Sequence, residues 1–281
     1  MADTQTTIHP HLSGVMAPVR TEDDFELKVE GKIPASLRGA YYRNGPNPQF
    51  DPVGVYHAFV GDGMIHGFFL DGQKAHYRNR WVRTPRWEAE RKAGRPLFGA
   101  FGGPSDPSVA NIHPGGANTN VVFHAGKLMA LQEASEPFAL DPIGLEKGGF
   151  LSTGGKFTAH PKVDPETGEL VWFAYSAGPT PLNAFIDYGV TDKTGKVTRR
   201  DRFEAPYMSM IHDFMVTRNY VIFPVLPLSG DIQRAMKGGP ALAWDPGKGA
   251  YLGVMKRNAS VDTIRWFEMD PNYMFHPMNA W

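Results

Sequence analysis

FTAHPKVDP, residues 157–165, sets His160 between apolar residues and a proline. A Pro-Glu-Thr-Gly turn follows at 165–168, and the strand-like run LVWFAY then occupies 170–175. Proline and glycine in this order end one extended segment and let the chain turn before the next. The pattern therefore places the imidazole of His160 at the mouth of a strand rather than on a mobile tail.

Two later stretches carry a histidine in similar surroundings. MIHDF (210–214) contains His212, and MFHPMNAW (274–281) contains His276. The intervals of 52 and 64 residues between successive histidines are too long for one local metal-binding loop. The three imidazoles form a metal site only if the fold brings them together. Taken singly, each is more typical of a hydrogen-bonded interior side chain than of a ligand.

The composition restricts both the partners and the chemistry. The chain has 281 residues, enough for a sizeable core, and its 29 basic residues balance 29 acidic ones. This balance argues against a nucleic-acid-binding protein, which normally carries a basic face. The absence of cysteine excludes a disulfide framework, an iron–sulfur cluster, a thiolate zinc site and a cysteine nucleophile. Any metal must be bound by nitrogen or oxygen.

The chain shows no targeting or membrane-spanning segment. Residues 1–7 are polar, and no apolar core of a secretory signal follows them. No uninterrupted apolar stretch approaches the length of about 18 residues that a spanning helix needs. We therefore expect a soluble, cytoplasmic protein.

Turn-forming residues recur along the chain with strand-forming residues between them. The sequence contains 31 glycines and 24 prolines, and Asp71-Gly72 between two strand-like runs is a strong hairpin signal. Helix signals occupy 84–94, where Thr84 is a capping residue, and 231–237. Many hairpins with two short helices predict an all-β closed or radial architecture. In a β-propeller, the histidines would lie on innermost strands that face a common axis.

The two ends of the chain suggest its organisation. Residues 1–24 are predicted to form a poorly ordered arm, and residues 25–281 one β-propeller domain. The chain stops at Asn279-Ala280-Trp281, directly after an apolar histidine motif and without a turn or polar tail. Because a closed sheet structure does not leave edge strands unpaired, we expect this domain to be truncated.

Seven motifs occur in the order in which a known family carries them. They are YRNGPNP (42–48), GDGMIH (61–66), RWVRT (80–84), ANTN (117–120), FTAHPK (157–162), MIHDF (210–214) and FHPMNAW (275–281). Together they resemble the carotenoid cleavage oxygenase family, particularly its bacterial branch with lignostilbene dioxygenases and isoeugenol monooxygenase. The resemblance extends from about residue 25 to the last residue.

The resemblance implies a seven-bladed β-propeller with a helical cap and a non-haem Fe(II) ion on its axis, held by four histidines. His160, His212 and His276 match the first three ligands. The fourth has no counterpart in this sequence. The implied activity is that of a carotenoid or stilbene cleavage dioxygenase, which splits a carbon–carbon double bond with O2 into two carbonyl products.

The resemblance also assigns residues around the metal. Glu133 matches a family glutamate that accepts a hydrogen bond from a ligating histidine. Phe101 and Gln132 stand where stilbene-cleaving relatives hold the phenolic oxygen of the substrate with a tyrosine and a lysine. Neither is a general base, and a phenylalanine side chain forms no such hydrogen bond. We therefore expect a carotenoid or apocarotenoid substrate, with a stilbene or phenylpropenoid alkene as the alternative.

Two further functions and one further partner remain open. Three histidines and an activated water would also suit a zinc hydrolase on a propeller. A non-catalytic propeller with its histidines packed inside is the third reading, since a fold does not fix a function. The aromatic residues Trp87, Phe98 and Phe101 suggest peripheral contact with a membrane surface, although such residues are more often part of the core.

Overall fold

The computed structural model describes residues 9–52, 56–99, 103 and 105–281. Antiparallel sheets dominate these ranges, and two short α-helices accompany them. The all-β class predicted from the recurrent turns is therefore confirmed. Neither helix in the described ranges has the length and apolar content that crossing a bilayer requires.

The elements of the described chain follow one another at short intervals. The strands are β1 (Asp24–Leu27), β2 (Arg38–Asn47), β3 (Asp62–Asp71), β4 (Ala75–Trp81), β5 (Asn120–His124), β6 (Lys127–Leu131), β7 (Phe138–Leu140), β8 (Gly149–Phe150), β9 (Lys162–Val163), β10 (Leu170–Ala174), β11 (Phe185–Thr191), β12 (Val197–Glu204), β13 (Met215–Val216), β14 (Tyr220–Val225), β15 (Leu228–Gly230), β16 (Leu242–Trp244), β17 (Ala250–Lys256) and β18 (Arg265–Met269). The helices are α1 (Pro85–Ala93) and α2 (Ile232–Met236).

The chain forms two compact units, and the first contains two four-stranded sheets. This unit comprises Met1–Gln132 and Pro137–Leu151. Its sheets have the strand orders β1-β4-β3-β2 and β5-β6-β7-β8. Side chains from both sheets, including Ile65, Leu128 and Phe138, form one buried apolar cluster. This burial of apolar surface is the main force that holds the first unit together.

Local signals in the first unit act as the sequence predicts. Asp71 Oδ1 accepts hydrogen bonds from the backbone N–H groups of Gln73 and Lys74, at 2.9 and 2.7 Å, which closes the β3–β4 hairpin. Thr84 Oγ1 accepts from the N–H of Trp87, so it caps α1. Gly94 ends this helix in the left-handed conformation, φ 69°, which a glycine adopts without strain. The predicted hairpin and the predicted helix at 84–94 are confirmed.

The second unit, Glu133–Glu136 with Ser152–Trp281, repeats the four-stranded pattern twice. One sheet has the order β12-β11-β10-β9, and the other has the order β13-β14-β17-β18. Between β14 and β17 the chain inserts the hairpin β15-β16, which encloses α2. Asp231 caps α2 by accepting from the N–H groups of Gln233 and Arg234, and the helix predicted at 231–237 is confirmed.

One apolar cluster joins the two four-stranded sheets of the second unit. The aromatic residues Phe173, Tyr188, Phe214 and Phe223 are all less than 2% exposed within it. Every side chain of β10 is buried, which explains why this strand reads as a continuous apolar run rather than as an alternating one. This cluster forms the rigid base for the loops that carry the three histidines.

Candidate metal centre

Two of the three histidines occupy matching positions in the second unit. His160 lies two residues before β9, and His212 lies three residues before β13. Each of these strands is the first of its four-stranded sheet and stands at the sheet's edge. The imidazoles of His160 and His212 therefore project from the loops that enter these two sheets rather than from β9 and β13 themselves. His276 lies in the extended segment after β18.

The three imidazoles converge through their Nε2 atoms. His212 Nε2 lies 2.9 Å from His160 Nε2 and 3.1 Å from His276 Nε2. The three candidate ligand atoms all lie within 4.8 Å of one another. Two nitrogen ligands at right angles around a first-row metal, with bonds of about 2.1 Å, are about 3 Å apart. The residues present therefore fit one metal ion.

His160 is held by its own loop. Its backbone N–H donates to Thr158 Oγ1 at 2.9 Å, and Ala159 is fully buried beside it. Phe157, also buried, packs against the ring of Trp172 with centroids 4.9 Å apart. The apolar residues that precede His160 in the sequence thus anchor its loop to β10.

His212 is held on both sides. Ile211 and Phe214 are buried in the apolar cluster of the second unit. The ring Nδ1 lies 2.6 Å from Glu133 Oε2. Because a carboxylate only accepts hydrogen bonds, Nδ1 carries the proton and donates, which leaves the lone pair on Nε2 facing the other two histidines. This is the tautomer that a metal ligand requires.

Glu133 reaches His212 from a tight turn. Ala134, the next residue, has φ 64°, and its N–H donates to the carbonyl of Phe157 at 3.0 Å. The opposite carboxylate oxygen of Glu133, Oε1, accepts from the hydroxyl of Tyr175 at 2.5 Å. The glutamate thus bridges a tyrosine and a histidine. The motif pattern did not single out Tyr175, which follows the apolar run of β10 directly.

His276 is the exposed member of the cluster. Its neighbour Phe275 packs edge-on against the ring of His212, with centroids 5.7 Å apart. Tyr273 lies just before it, and its hydroxyl donates to the carbonyl of Met210 at 3.1 Å. These two contacts fasten the segment after β18 to the His212 loop.

The charge state of the cluster suits metal binding. Burial, and then the proximity of His212, lowers the pKa of His160 to about 4. His160 is therefore neutral at ordinary pH and offers a lone pair. Among the described residues, the cluster contains no carboxylate or thiolate ligand. A set of neutral imidazoles suits Fe(II), Zn(II), Cu and Ni.

An ion pair links the loops of the first two histidines. Lys162 Nζ lies 2.7 Å from Asp213 Oδ1, and the carboxylate is almost completely buried. Lys162 follows His160 by two residues, and Asp213 follows His212 directly. Asp213 also accepts from the N–H of Phe214 at 2.8 Å. The pair fixes the distance between the two loops without contributing a ligand.

The remaining predicted site residues lie in the first unit or outside the described residues. Gln132 Oε1 accepts from the backbone N–H groups of Gly116 and Ala117, at 2.6 and 3.2 Å. Its carbonyl oxygen therefore supports a loop. Phe101 lies outside the described residues. Trp87 and Phe98 are half-buried and have arginine side chains over their rings.

Most of this chain is similar in sequence and in structure to known proteins. Residues 16–281 match the family described as retinal pigment epithelial membrane protein. The isoeugenol monooxygenase of Pseudomonas putida is 40% identical over 97% of this chain and 58% of its own length. The crystal structure of the lignostilbene dioxygenase of Pseudomonas brassicacearum superimposes with a TM-score of 0.85 at 37% identity, over 93% of this chain and 56% of that chain.

A variant of the apocarotenoid oxygenase of Synechocystis is also similar. It superimposes with a TM-score of 0.79 at 27% identity, over 92% of this chain and 58% of that one. The present chain thus spans little more than half the length of each of these three proteins.

Proposed function

The chain belongs to the retinal pigment epithelial membrane protein family, the carotenoid cleavage oxygenases, and on this premise we propose that it acts as a non-haem Fe(II) oxygenase that cleaves a carbon–carbon double bond with O2. The observation that carries the proposal is the convergence of three histidine Nε2 atoms within 4.8 Å. Family membership selects iron among the metals that neutral imidazoles bind.

The residues of the second unit have two roles in the proposed site, metal binding and the positioning of a ligand. His160, His212 and His276 hold the metal through Nε2, and Glu133 holds His212 in the required tautomer. Fe(II) bound there would activate O2 beside the substrate alkene. The protein supplies ligand geometry and a fixed position for the alkene, while metal and O2 supply the oxidising chemistry.

The proposed reaction is balanced without a further reductant. The double bond of the alkene breaks, each of its two carbons gains one oxygen atom of O2, and two carbonyl compounds leave. The reaction as written requires neither electrons nor a base from the protein residues.

For the architecture, we propose a seven-bladed β-propeller in which the four-stranded sheets are blades. The sheets have the strand number of a blade, and in two of the four, β5–β8 and β9–β12, every pair of neighbouring strands is consecutive in the chain and antiparallel. The likeness to solved carotenoid oxygenase structures supports this proposal. The recurrence of a histidine just before the first strand of two successive sheets agrees with ligands that gather on a propeller axis.

For the substrate, we propose an apolar polyene of the apocarotenoid class. Gln132 stands where the stilbene-cleaving relatives place a lysine, and its carbonyl oxygen already accepts from two backbone amides. An amide cannot act as a base toward a phenol. An aryl alkene is the second candidate, because the relatives reported above are named for isoeugenol and lignostilbene.

Product analysis under isotopically labelled O2 tests this function. The protein, loaded with Fe(II), is incubated with an apocarotenal and in parallel with a hydroxylated stilbene. Mass spectrometry then measures the masses of the carbonyl products and so the labelled oxygen that they contain. We expect labelled carbonyl products from the apocarotenal and slower or no cleavage of the stilbene. Faster cleavage of the stilbene would replace the substrate proposal while keeping the reaction.

Two outcomes would overturn the reaction itself. Products that form at the same rate without O2, with zinc as the active metal, would indicate hydrolysis. A protein that binds Fe(II) but cleaves neither alkene would contradict the oxygenase proposal. The matched control is the His212→Ala variant, in which the loss of a ligand should abolish cleavage of either substrate.

A further inference from the structure

Tyr175 occupies the first position after β10, next to the proposed metal site. Its ring packs against the apolar cluster of the second unit. Its hydroxyl donates to Glu133 Oε1 at 2.5 Å. Tyr175 therefore has one side that belongs to the core and one polar atom that is directed to the glutamate.

Glu133 has two oxygens and two different partners. Oε1 accepts from Tyr175, and Oε2 accepts from His212 Nδ1 at 2.6 Å. The wall around the carboxylate includes the apolar side chains of Phe157 and Ile211. In such surroundings an oxygen without a donor is costly, so each hydrogen bond restricts the rotation of the carboxylate.

We propose that Tyr175 is a positioning residue for the metal site: its hydroxyl holds Oε1 of Glu133, so that Oε2 is directed at Nδ1 of His212 and Nε2 of His212 is left to bind the metal. This inference rests on the proposed function. In this account two hydrogen bonds act in series: Tyr175 holds Glu133, and Glu133 holds His212.

A tyrosine suits this position because it remains a donor. Burial, and then the neighbouring Glu133, raises the pKa of Tyr175 far above its ordinary value. The hydroxyl therefore keeps its proton over the whole accessible pH range. The rigid ring, fixed in the core, gives the hydroxyl a defined place, whereas a flexible donor would lose entropy on forming the same hydrogen bond.

A purely structural role for Tyr175 makes a different prediction. If only the ring matters, Tyr175→Phe keeps the packing and changes nothing at the metal. If the hydroxyl matters, the same variant loosens Glu133 and weakens metal binding with little effect on the fold. Outer contacts of this kind are typically worth about 10-fold to 100-fold in metal affinity.

The first test measures Fe(II) affinity under anaerobic conditions, with a chromogenic chelator as competitor. We expect Tyr175→Phe to bind Fe(II) about tenfold more weakly than the wild type. The matched control is Tyr188→Phe, which removes a fully buried hydroxyl that donates to the carbonyl of Arg257 at 3.2 Å within the same unit. The control should leave the affinity unchanged. Equal affinities for Tyr175→Phe and the wild type would overturn the proposal.

A double-mutant cycle asks whether Tyr175 acts through Glu133. Glu133→Ala removes the whole carboxylate, so the hydroxyl of Tyr175 no longer positions an acceptor for Nδ1 of His212. We expect Tyr175→Phe to cause no further loss of Fe(II) affinity in the Glu133→Ala background. Losses that multiply in the double variant would show that Tyr175 acts by another route and would overturn the proposal.

A metal-free measurement separates this inference from the proposed function. Isotope-labelled histidine reports by NMR which ring nitrogen of His212 carries the proton at about pH 8, where an ordinary imidazole is neutral. We expect the Nδ1–H form in the wild type and in Tyr188→Phe, and a mixture of tautomers in Tyr175→Phe.

The outcomes of the two measurements distinguish the two claims. If the wild type takes up no Fe(II) but Tyr175→Phe shifts the tautomer of His212, the proposed function is contradicted and the positioning role is supported. If the wild type takes up Fe(II) and Tyr175→Phe has the same His212 tautomer and the same Fe(II) affinity as the wild type, the proposed function stands and the positioning role is overturned.

Discussion

Among single residues, Asp62 has the most unusual environment in the first unit. It begins β3, and its side chain is only 2% exposed. Burial raises the pKa of Asp62 to about 7. The nearest cation is Arg86, whose Nε lies 3.6 Å from Oδ1, too far for a hydrogen bond. The native state therefore holds a proton that the unfolded chain releases at lower pH.

This environment predicts a pH-dependent loss of stability. Because the native state binds this proton more tightly, the contribution of Asp62 to the free energy of unfolding falls as the pH rises from about 4 to about 7. Asp62→Asn lacks this titration, so its stability relative to the wild type should rise across the same window by an amount on the order of a few kcal/mol. Urea unfolding at a series of pH values measures the difference.

Asp24→Asn is the control for this titration. Hydrogen bonds from Arg78 and His76 hold the pKa of Asp24 well below its ordinary value. This carboxylate stays charged in the native state from pH 4 upward, and it contributes little to the slope above about pH 5, where the unfolded chain has also released the proton. Asp24→Asn should therefore follow the wild-type slope, and a slope in Asp62→Asn equal to that of the wild type would contradict the buried protonated carboxyl.

The sequence singled out the three histidines that the fold brings together, but it did not single out all of the residues that hold them in place. The apolar and proline neighbours of His160 and His276 mark them as candidates, and the fold brings both together with His212. Tyr175 was missed because it completes an apolar strand run and resembles core. Its hydroxyl at the end of β10 is the one signal, and its meaning depends on Glu133, 42 residues earlier in the chain.

Among the elements, the loops that precede β9 and β13 depend on each other through Lys162 and Asp213. The Asp213 side chain is 4% exposed and the Lys162 side chain 34%. Removal of the lysine leaves a buried carboxylate without its cation, which costs more than the loss of an exposed pair.

We expect Lys162→Met to lower the free energy of unfolding by about 2 kcal/mol. Arg218→Met is the matched control, because its ion pair with Glu166 is exposed on both sides and should contribute less than about 0.5 kcal/mol. Chemical unfolding of both variants measures the difference. Equal, small losses would show that the Lys162–Asp213 pair does not hold the two loops.

The β10–β11 pair depends on a glycine. Gly189 faces Trp172 across the two strands, and a Cβ atom at Gly189 would lie 2.1 Å from the indole ring. Trp172 is fully buried and donates from Nε1 to Thr191 Oγ1 at 3.1 Å, so it cannot move aside freely.

Gly189→Ala should therefore destabilise the protein by about 3 kcal/mol or more through overpacking. Gly149→Ala, in β8, is the control, since a Cβ atom there meets nothing within 4 Å. Its effect should stay within about 0.5 kcal/mol. Thermal unfolding compares the two, and a mild effect of Gly189→Ala would mean that the packing around Trp172 is looser than described.

Local chemistry explains which elements the sequence predicted. Thr84, Gly94 and the Asp71-Gly72 turn act on neighbouring residues, so their signals are complete within a few positions. His160 and His212 lie in the loops just before β9 and β13 rather than within these strands, and at His160 the proline that follows keeps the chain from entering the sheet earlier.

Along the whole chain, four-stranded sheets recur, and the two in the second unit are each entered through a loop that carries one of the three histidines. The interval from His160 to His212 contains one such sheet, and the interval from His212 to His276 contains one sheet with the β15-β16 insertion. The intervals of 52 and 64 residues are visible in the sequence, and the β15-β16 insertion lies in the longer one. The division into two compact units was not predicted, because it depends on contacts that span the chain.

Metal binding should stabilise the second unit as a whole. A ligand that binds only the native state adds to stability by mass action, so Fe(II) in excess should raise the unfolding midpoint of the wild type. In His160→Ala the same addition should have little effect. Anaerobic thermal unfolding with and without Fe(II) measures this, and equal shifts in both proteins would place the metal elsewhere.

The central claim is that His160, His212 and His276 hold one iron ion. Elemental analysis of anaerobically loaded protein tests it most directly, on the wild type, on each of the three single alanine variants, and on His66→Ala. His66 pairs with the hydroxyl of Tyr77 at 2.7 Å and serves as the control histidine. We predict about one iron per chain in the wild type and in His66→Ala, and a large loss in each of the other three. Iron retained in all three ligand variants, or no iron in the wild type, would contradict the claim.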